Sequence, residues 1–444
     1  MFFKGTHNFS NLYDSHVHWF YTGQIASAWN LKDIKDPNEI LNTPLKAEYH
    51  RGEWLSGFGW DENLWPAGFK IHRKFLDQSY SDIPVHLSRT DGHSSWVNTK
   101  ALIQLGFMDL SSEKYKKFSK DIVLDESGTP SGHLKESAHM HALFNLPEAT
   151  EELKRSFLVL GAEIFNRAGF SHIREMTSSV SQWNINLQLI DNPEFLLHVE
   201  HFFVCEDVKN ISTVIEQLKK CKETENDWMK IRGVKVFVDG SLGSETACLS
   251  HHYSGHSHSG QMIWNESDVK TVLRETWKNK LEVAFHALGD QASHQVVQWA
   301  REVYSEGIQG QLHLEHCEIL RPETIQNMKS IHVRCHLQPC HWWGDQKWLK
   351  ERVGTLFSYA FPWESLRKAQ IPFSFGSDSP IEMTSLFSNL KALEDSASKG
   401  IRKLGDNPME YHSYFAKDCV QGSTEIHDDQ VCSISLGNKK KKFI

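Results

Sequence analysis

Short runs of apolar and β-branched residues alternate with amphipathic stretches over most of the chain. Eight of these runs read as strands: residues 11–16 (NLYDSH), 170–174 (FSHIR), 194–204 (EFLLHVEHFFV), 231–238 (IRGVKVFV), 281–286 (LEVAFH), 311–316 (QLHLEH), 331–337 (IHVRCHL) and 371–376 (IPFSFG). Between them lie helical patterns. The clearest is 151–168 (EELKRSFLVLGAEIFNRA), with apolar positions at helical spacing and Gly169 as a stop signal; 207–220, 266–278 and 292–304 read similarly. Strands that alternate with helices predict an α/β fold. Eight such units predict a (β/α)8 TIM barrel. An open doubly wound sheet is the rival, but no G-x-G-x-x-G follows any of the strands.

Two regions break the alternation. Between the first and second strands, residues from about 20 to 150 carry their own aromatic run (GEWLSGFGWDENLWP) and their own strand–helix pair (PVHLSRTDGHSSWVNTKALIQLG). A stretch this long is no simple loop, and it predicts a subdomain inserted at one mouth of the barrel. The short tail, about 400–444, offers one strand-like run (QVCSISLG) and ends in NKKKKFI, whose four lysines read as a solvated end. With no internal repeat and no low-complexity linker, residues 1–444 are expected to form one barrel domain with these additions.

Composition narrows the class. Lys+Arg 48 against Asp+Glu 56 gives a net charge of −8, and 39% hydrophobic with 23% charged residues is a globular balance. Without a basic stripe, nucleic acid is not an expected partner. No apolar stretch is long enough to span a membrane, and MFFKGTHNFSN lacks the apolar core of a secretory signal. Eight Cys without a C-x-x-C pair suggest reduced thiols and a cytoplasmic protein. The expected partners are a small-molecule substrate and, at most, a second copy in a homodimer.

The candidate chemistry gathers at the C-terminal ends of the strands, where barrel enzymes keep their active sites. His16 and His18 form an H-x-H pair whose period-two spacing puts both imidazoles on one face. His286 ends the fifth strand (VAFHALGD), His316 the sixth (LHLEHCEI), and Asp378 follows the eighth (FGSDSP). Lys235 lies within the fourth (GVKVFVDGS), where a buried ammonium is costly unless paired or converted, for example by CO₂ into an anionic carbamate. Singly, each residue has an ordinary structural reading, such as a hydrogen-bonded core histidine or a helix cap. Together they predict a metal site.

Other histidines and cysteines are set apart. The loop HHYSGHSHSG (His251, His252, His256, His258) reads either as an adventitious metal site or, lacking fixed spacing, as a flexible lid. His332, Cys335, His336, Cys340 and His341 mimic a zinc-ligand mixture, but strand alternation sends His336 to the face opposite Cys335. Cys317 has no assigned base and is no expected nucleophile.

The order H-x-H on strand one, Lys on four, His on five, His on six and Asp on eight resembles the amidohydrolase superfamily. Its finer wording resembles the family 3 branch, related to N-substituted formamide deformylase, through DSHVH, GFGWDENLWP, PVHLSRTDGHSSWVN, SGHLKESA, VKVFVDGSLGSETACL, FHALGDQA, LEHCEILRPE, LQPCHWW and FGSDSP. The resemblance implies a binuclear site, with two Zn²⁺ as the first expectation. His16, His18 and Asp378 would hold the more buried ion, His286 and His316 the other, and carboxylated Lys235 would bridge them. A metal-bound hydroxide would attack the substrate, with Asp378 shuttling the proton to the leaving amine. If Lys235 is not carboxylated, a single-metal site remains open. Trp60, Asp61, Arg89, Asp91 and His93 fall in matching motifs of the insertion and His341 follows strand seven; these are the candidate substrate contacts, His93 also for the oxyanion. A structural role is an equal reading for Asp61, Arg89, Asp91 and His93. Trp60, Trp65 and Trp96 read as pocket walls or, as is more common for aromatics in an insertion, as its own small core.

The implied activity is hydrolysis of a non-peptide carbon–nitrogen bond in an amide, formamide or cyclic amide. Ester, lactone or phosphotriester hydrolysis on the same site stands as the alternative, and a non-catalytic barrel scaffold as a second. Relatives of this kind carry a small β-sandwich built from strands on both sides of the barrel. With DSHVH starting at residue 14, that sandwich is expected to be absent or rudimentary, its N-terminal part missing.

Overall fold

The structure, a computed structural model, describes the chain apart from Met1, Asp33, residues 90–93, 400–403, 405–407 and 418–420, and Ile444. It divides into two compact units, one made of residues 1–22 with 161–444 and the other of 23–160. The first unit contains eight parallel strands: β1 (Tyr13–Val17), β2 (His172–Ser178), β3 (His198–Val204), β4 (Met229–Phe237), β5 (Glu282–Ala287), β6 (Leu312–His316), β7 (Val333–Leu337) and β8 (Phe373–Phe375). Each pairs with its neighbour in chain order. Helices follow as the amphipathic patterns predict, among them Glu266–Lys278 and Asp290–Ser305. The fold is an α/β barrel of the TIM type.

All eight predicted strands are present, with shifted ends. The third starts at His198 rather than at residue 194 because Asn192 makes a turn, its side chain accepting from Glu194 N at 2.9 Å and its carbonyl from Phe195 N at 3.0 Å. The ring closes just beyond β8, where Asp378 N donates to His16 O and His18 N to Ser379 O, both at 2.8 Å. The buried Asp14 carboxylate accepts from Ser377 N at 2.8 Å and pins the same seam. Glycine is required at 376, since a Cβ there would stand 2.5 Å from His16 N.

The N-terminal contribution expected to be missing is present. Thr6–Ser10, Gly422–His427, Gln430–Leu436 and Lys439–Lys442 form one four-stranded antiparallel sheet, a single layer rather than a sandwich. The lysine run is therefore an edge strand, with Lys440 and Lys442 exposed and Lys439 and Lys441 held against the barrel unit. Lys439 Nζ donates to Ile190 O at 2.6 Å and Asn192 O at 2.9 Å, and Lys441 pairs with Glu163 at 2.8 Å and Glu194 at 3.2 Å. Backbone pairing with Gln430–Leu436 and these carbonyl and carboxylate partners override lysine's weak strand preference.

The unit 23–160 has a seven-stranded sheet and two apolar clusters of its own. Trp29, Trp60, Trp65 and Trp96 build one of these, with Trp60 stacked on Trp65 at 5.6 Å between ring centroids.

Many histidines are structural. His86, His198 and His201 are buried, and burial pushes each down to about 3. They are neutral when folded and titrate near 6.5 when unfolded, so below that pH the unfolded chain binds more protons. Stability should therefore fall between pH 6.5 and 3, by about 1.4 kcal/mol per pH unit for each such histidine. Urea midpoints in chelator at pH 7.5 and 5.0 check this; equal midpoints would contradict it.

Candidate metal centre

The polar groups inside the barrel reach across it. Arg174 on β2 donates to Glu315 Oε1 on the non-adjacent β6 at 2.8 Å, and its guanidinium lies 4.2 Å from the Phe202 ring. Glu315 Oε2 accepts from His16 Nδ1 at 2.6 Å. Arg174 and His16 hold the buried Glu315 ionised, well below the usual carboxylate range, although burial alone pushes it up. The His16 tautomer is thereby fixed, with the proton on Nδ1 and the lone pair on Nε2.

His18 is set in the same way. Thr177 Oγ1 gives its only proton to Glu175 Oε1 at 2.7 Å, so it accepts from His18 Nδ1 at 3.2 Å. The two Nε2 atoms then face one oxygen, Asp378 Oδ1, from 3.3 Å (His16) and 3.1 Å (His18). His341 Nε2 stands 3.6 Å and His316 Nδ1 4.0 Å from Asp378 Oδ2. One ligand atom each from His16, His316 and Asp378 lies within 4.8 Å of the others, and all three residues are buried.

Lone pairs aimed at an anionic oxygen repel unless a proton or cation lies between them. His16 Nε2 is buried with no hydrogen-bond partner, and burial, reinforced by Lys235, pushes its pKa down to about 4. His316 is likewise held well below 6.5, first by burial. His16 and His316 therefore stay neutral, as ligands must be, while the histidines around Asp378, His16 first, hold it ionised well below its usual range against the effect of burial. Two imidazoles, a third imidazole within reach and a carboxylate form a donor set that fits a divalent transition-metal ion.

Backbone strain marks two of these positions. His316 ends β6 at φ 70°, and Asp378 sits at φ 59°, values that side-chain-bearing residues adopt at a cost of order 1–3 kcal/mol. They turn the chain at the strand ends and carry both side chains into the cluster. His316 Nδ1 is in turn held by Gln338 Oε1 at 3.0 Å.

The remaining expected ligands stand beside this group. The His286 ring is 4.6 Å from that of His316, but its Nε2 donates to Gly240 O at 3.1 Å, leaving Nδ1 as the lone-pair nitrogen. Burial pushes His286 down to about 3. Lys235 on β4 is fully buried, its Nζ has no hydrogen-bond partner, and it lies 4.9 Å from the centre of the Phe237 ring. Burial lowers its pKa to about 8 against the pull of Glu315 and Asp378.

The insertion candidates fare differently. Asp91 and His93 lie outside the described residues. Arg89 binds Asp61 at 3.0 Å and Glu62 at 2.7 Å, an ion-pair network within the unit 23–160. Trp60 is 0% exposed and gives its indole N–H to Leu87 O at 2.8 Å, so the substrate contact expected of it gives way to a core role. The zinc-like mixture on and around β7 does not form one cluster: His336 bonds His313 and Ser374, whereas His341 faces Asp378. Cys317 is buried, and burial holds its thiol well above the usual range.

Sequence reading missed the residues that orient the ligands: Glu315, Arg174, Thr177, Glu175 and Gln338. Glu315 carried a signal in its place between two histidines in LHLEH. Arg174, Thr177, Glu175 and Gln338 are partners only through the closed barrel.

An eight-stranded parallel barrel with imidazoles and a carboxylate gathered where its strands end is the arrangement expected of a metal-dependent hydrolase. The sequence profile described as "Amidohydrolase family" matches residues 11–394, and the chain belongs to that family. It is 25% identical over 385 residues to "Putative amidohydrolase YtcJ" of Bacillus subtilis, covering 85% of this chain and 71% of that protein. It is 22% identical over 387 residues to Protein LONG AFTER FAR-RED 3 of Arabidopsis thaliana, covering 83% of this chain and 65% of the relative, just under two thirds of its length. Among solved structures, an uncharacterized metal-dependent hydrolase from Pyrococcus horikoshii OT3 superposes with a TM-score of 0.70 at 25% identity, covering 93% of this chain and 79% of that one. One from Pyrococcus furiosus gives 0.72 at 24% identity, covering 92% and 81%, and speaks for the fold. Among the described residues, no helix is long and apolar enough to cross a membrane.

Proposed function

We propose that this hydrolase cleaves a non-peptide carbon–nitrogen bond in a small amide, formamide or cyclic amide. His16, His18 and Asp378 would hold one divalent ion, and His286 and His316 a second, with carboxylated Lys235 between them and zinc as the metal. The observation that carries this reading is the pair of imidazole lone pairs facing one oxygen of Asp378 at 3.3 and 3.1 Å. The unpartnered Lys235 Nζ supports the bridge, since a neutral amine in a dry site is the form that adds CO₂.

A divalent ion held by these residues would supply Lewis acidity, lowering the pKa of a bound water from ~15.7 to about 7 and polarising a carbonyl. The protein's part is positional. Glu315 and Thr177 fix the two imidazole tautomers, and Arg174 keeps Glu315 anionic. The Asp378 carboxylate is placed to take the proton of the attacking water and return it to the departing nitrogen. His341 Nε2, 3.6 Å from Asp378 Oδ2, is placed to donate a hydrogen bond to the substrate carbonyl.

The test is a panel of N-substituted formamides, linear amides, cyclic amides, lactones and phosphotriesters of matched size. The reading expects the highest kcat/KM on a carbon–nitrogen substrate. A panel led by lactones or phosphotriesters would replace it with the oxygen-ester reading.

A further inference from the structure

The loop after β4 holds a second group of metal-binding side chains, apart from the barrel cluster. Glu245 Oε2 lies 3.3 Å from His256 Nε2 and 4.0 Å from His258 Nε2, and the three ligand atoms all fall within 4.8 Å of one another. The two imidazole rings are 5.4 Å apart, and both side chains are about half exposed. Two nitrogens and an oxygen bound to one tetrahedral ion stand about 3.4 Å apart, so a rotamer adjustment of an ångström or less on each imidazole would complete the set.

The loop that carries them is laced rather than loose, which replaces the flexible lid expected from its composition. Leu249 N donates to Ser259 O at 2.8 Å, Tyr253 N to His258 O at 2.9 Å, and Tyr253 OH to Ala247 O at 2.9 Å. Gly260 packs so closely that a Cβ there would meet Ala247 O at 2.0 Å. The base of the loop is tied by Asp239, whose carboxylate accepts from Cys248 N at 3.0 Å and Gly289 N at 2.9 Å. The H-x-H pair is therefore held by a fixed backbone opposite Glu245.

Two contacts oppose occupancy. Arg352 Nε lies 3.4 Å from Glu245 Oε1, on the oxygen away from the histidines, and its charge weakens cation binding. Gly260 N approaches His258 Nδ1 at 3.4 Å, a long contact that must be released for that ring to carry its proton on Nδ1 and bind through Nε2. His256 has neither constraint.

We propose that Glu245, His256 and His258 form a second, transition-metal site that clips the segment ending at Glu245 to the tip of the loop. Two imidazoles and one carboxylate select Zn²⁺, Co²⁺, Ni²⁺ or Cu²⁺ over Mg²⁺ and Ca²⁺. Exposure leaves at least one position to water. The loop joins β4, which carries Lys235, and its Gly240 carbonyl accepts from His286, so the clip braces backbone that touches the barrel cluster.

The test uses full-length protein stripped by chelator and titrated calorimetrically with Zn²⁺, then with Co²⁺ to follow its visible bands. Wild type should bind one more equivalent than the His256→Ala/His258→Ala double variant, and Glu245→Gln should weaken that equivalent at least about tenfold. The count is a difference between proteins with identical barrel residues, so it stands whatever the barrel site does. Mg²⁺ should not compete. Equal stoichiometry in wild type and double variant would overturn the proposal. So would an extra equivalent that is lost on His251→Ala/His252→Ala and indifferent to Glu245→Gln.

Discussion

Asp378→Ala is expected to abolish hydrolysis, lowering kcat/KM by about three orders of magnitude or more, because the loss of several kcal/mol of charge stabilisation compounds tenfold per 1.36 kcal/mol. The carboxylate is the one group that His16, His18, His316 and His341 all approach, at 3.3, 3.1, 4.0 and 3.6 Å. Its removal would take away the proposed ligand and proton acceptor, and with it an anionic oxygen 3.1 Å from His18 Nε2. Asp378→Asn keeps the shape, and with it the hydrogen bond from the backbone of residue 378 to His16 O, so it separates chemistry from folding. Both variants should bind metal more weakly, and the Asn form should keep the wild-type circular dichroism spectrum. A folded Asp378→Asn protein with activity within tenfold of wild type would remove Asp378 from the mechanism. His286→Ala should also silence the enzyme. Its ring lies 4.6 Å from that of His316, and Gly240 O, which accepts from its Nε2, leaves Nδ1 as the nitrogen that would bind.

Lys235→Ala carries the second large effect. The side chain is fully buried and its Nζ has no hydrogen-bond partner, a position that costs a great deal for a cation and little for an anion ligating two cations. Removing it should lower activity at least about a hundredfold. The cavity left behind should admit a short carboxylic acid. Formate or acetate at millimolar concentration should then restore part of the activity, saturably, in Lys235→Ala and not in Asp378→Ala. Unaltered activity in Lys235→Ala would refute the bridging role. A severe loss that no carboxylate rescues would leave Lys235 as a structural ammonium.

The barrel was legible because its strands are long apolar or β-branched runs separated by amphipathic helices; burial on both faces of a parallel strand leaves that signature in the sequence. Six ligand candidates were legible for a related reason, since each falls at or near a strand end. What could not be read depends on contacts between distant segments. Thr6–Ser10 is a strand because Gly422–His427 pairs with it, and Lys439–Lys442 is a strand despite its composition because carbonyls at 190 and 192 receive Lys439. Arg174 looks like a surface residue in FSHIR until the barrel brings it 2.8 Å from Glu315. Glu245 lies six residues before the first histidine of HHYSGHSHSG, and only the fold turns it back onto His256. Trp60 was legible only as a choice. An aromatic in a family motif read either as a pocket wall or as the insertion's core, and packing against Trp65 and Trp96 decides for the core.

The central claim is that hydrolysis depends on divalent metal held at the ends of the barrel strands. Its most direct measurement is metal content and activity together, made on the His256→Ala/His258→Ala variant so that the loop after β4 contributes nothing. The account predicts about one to two transition-metal ions per chain, loss of activity as a chelator removes them, and recovery in proportion to the metal returned. Full activity in protein shown to be metal-free would contradict it.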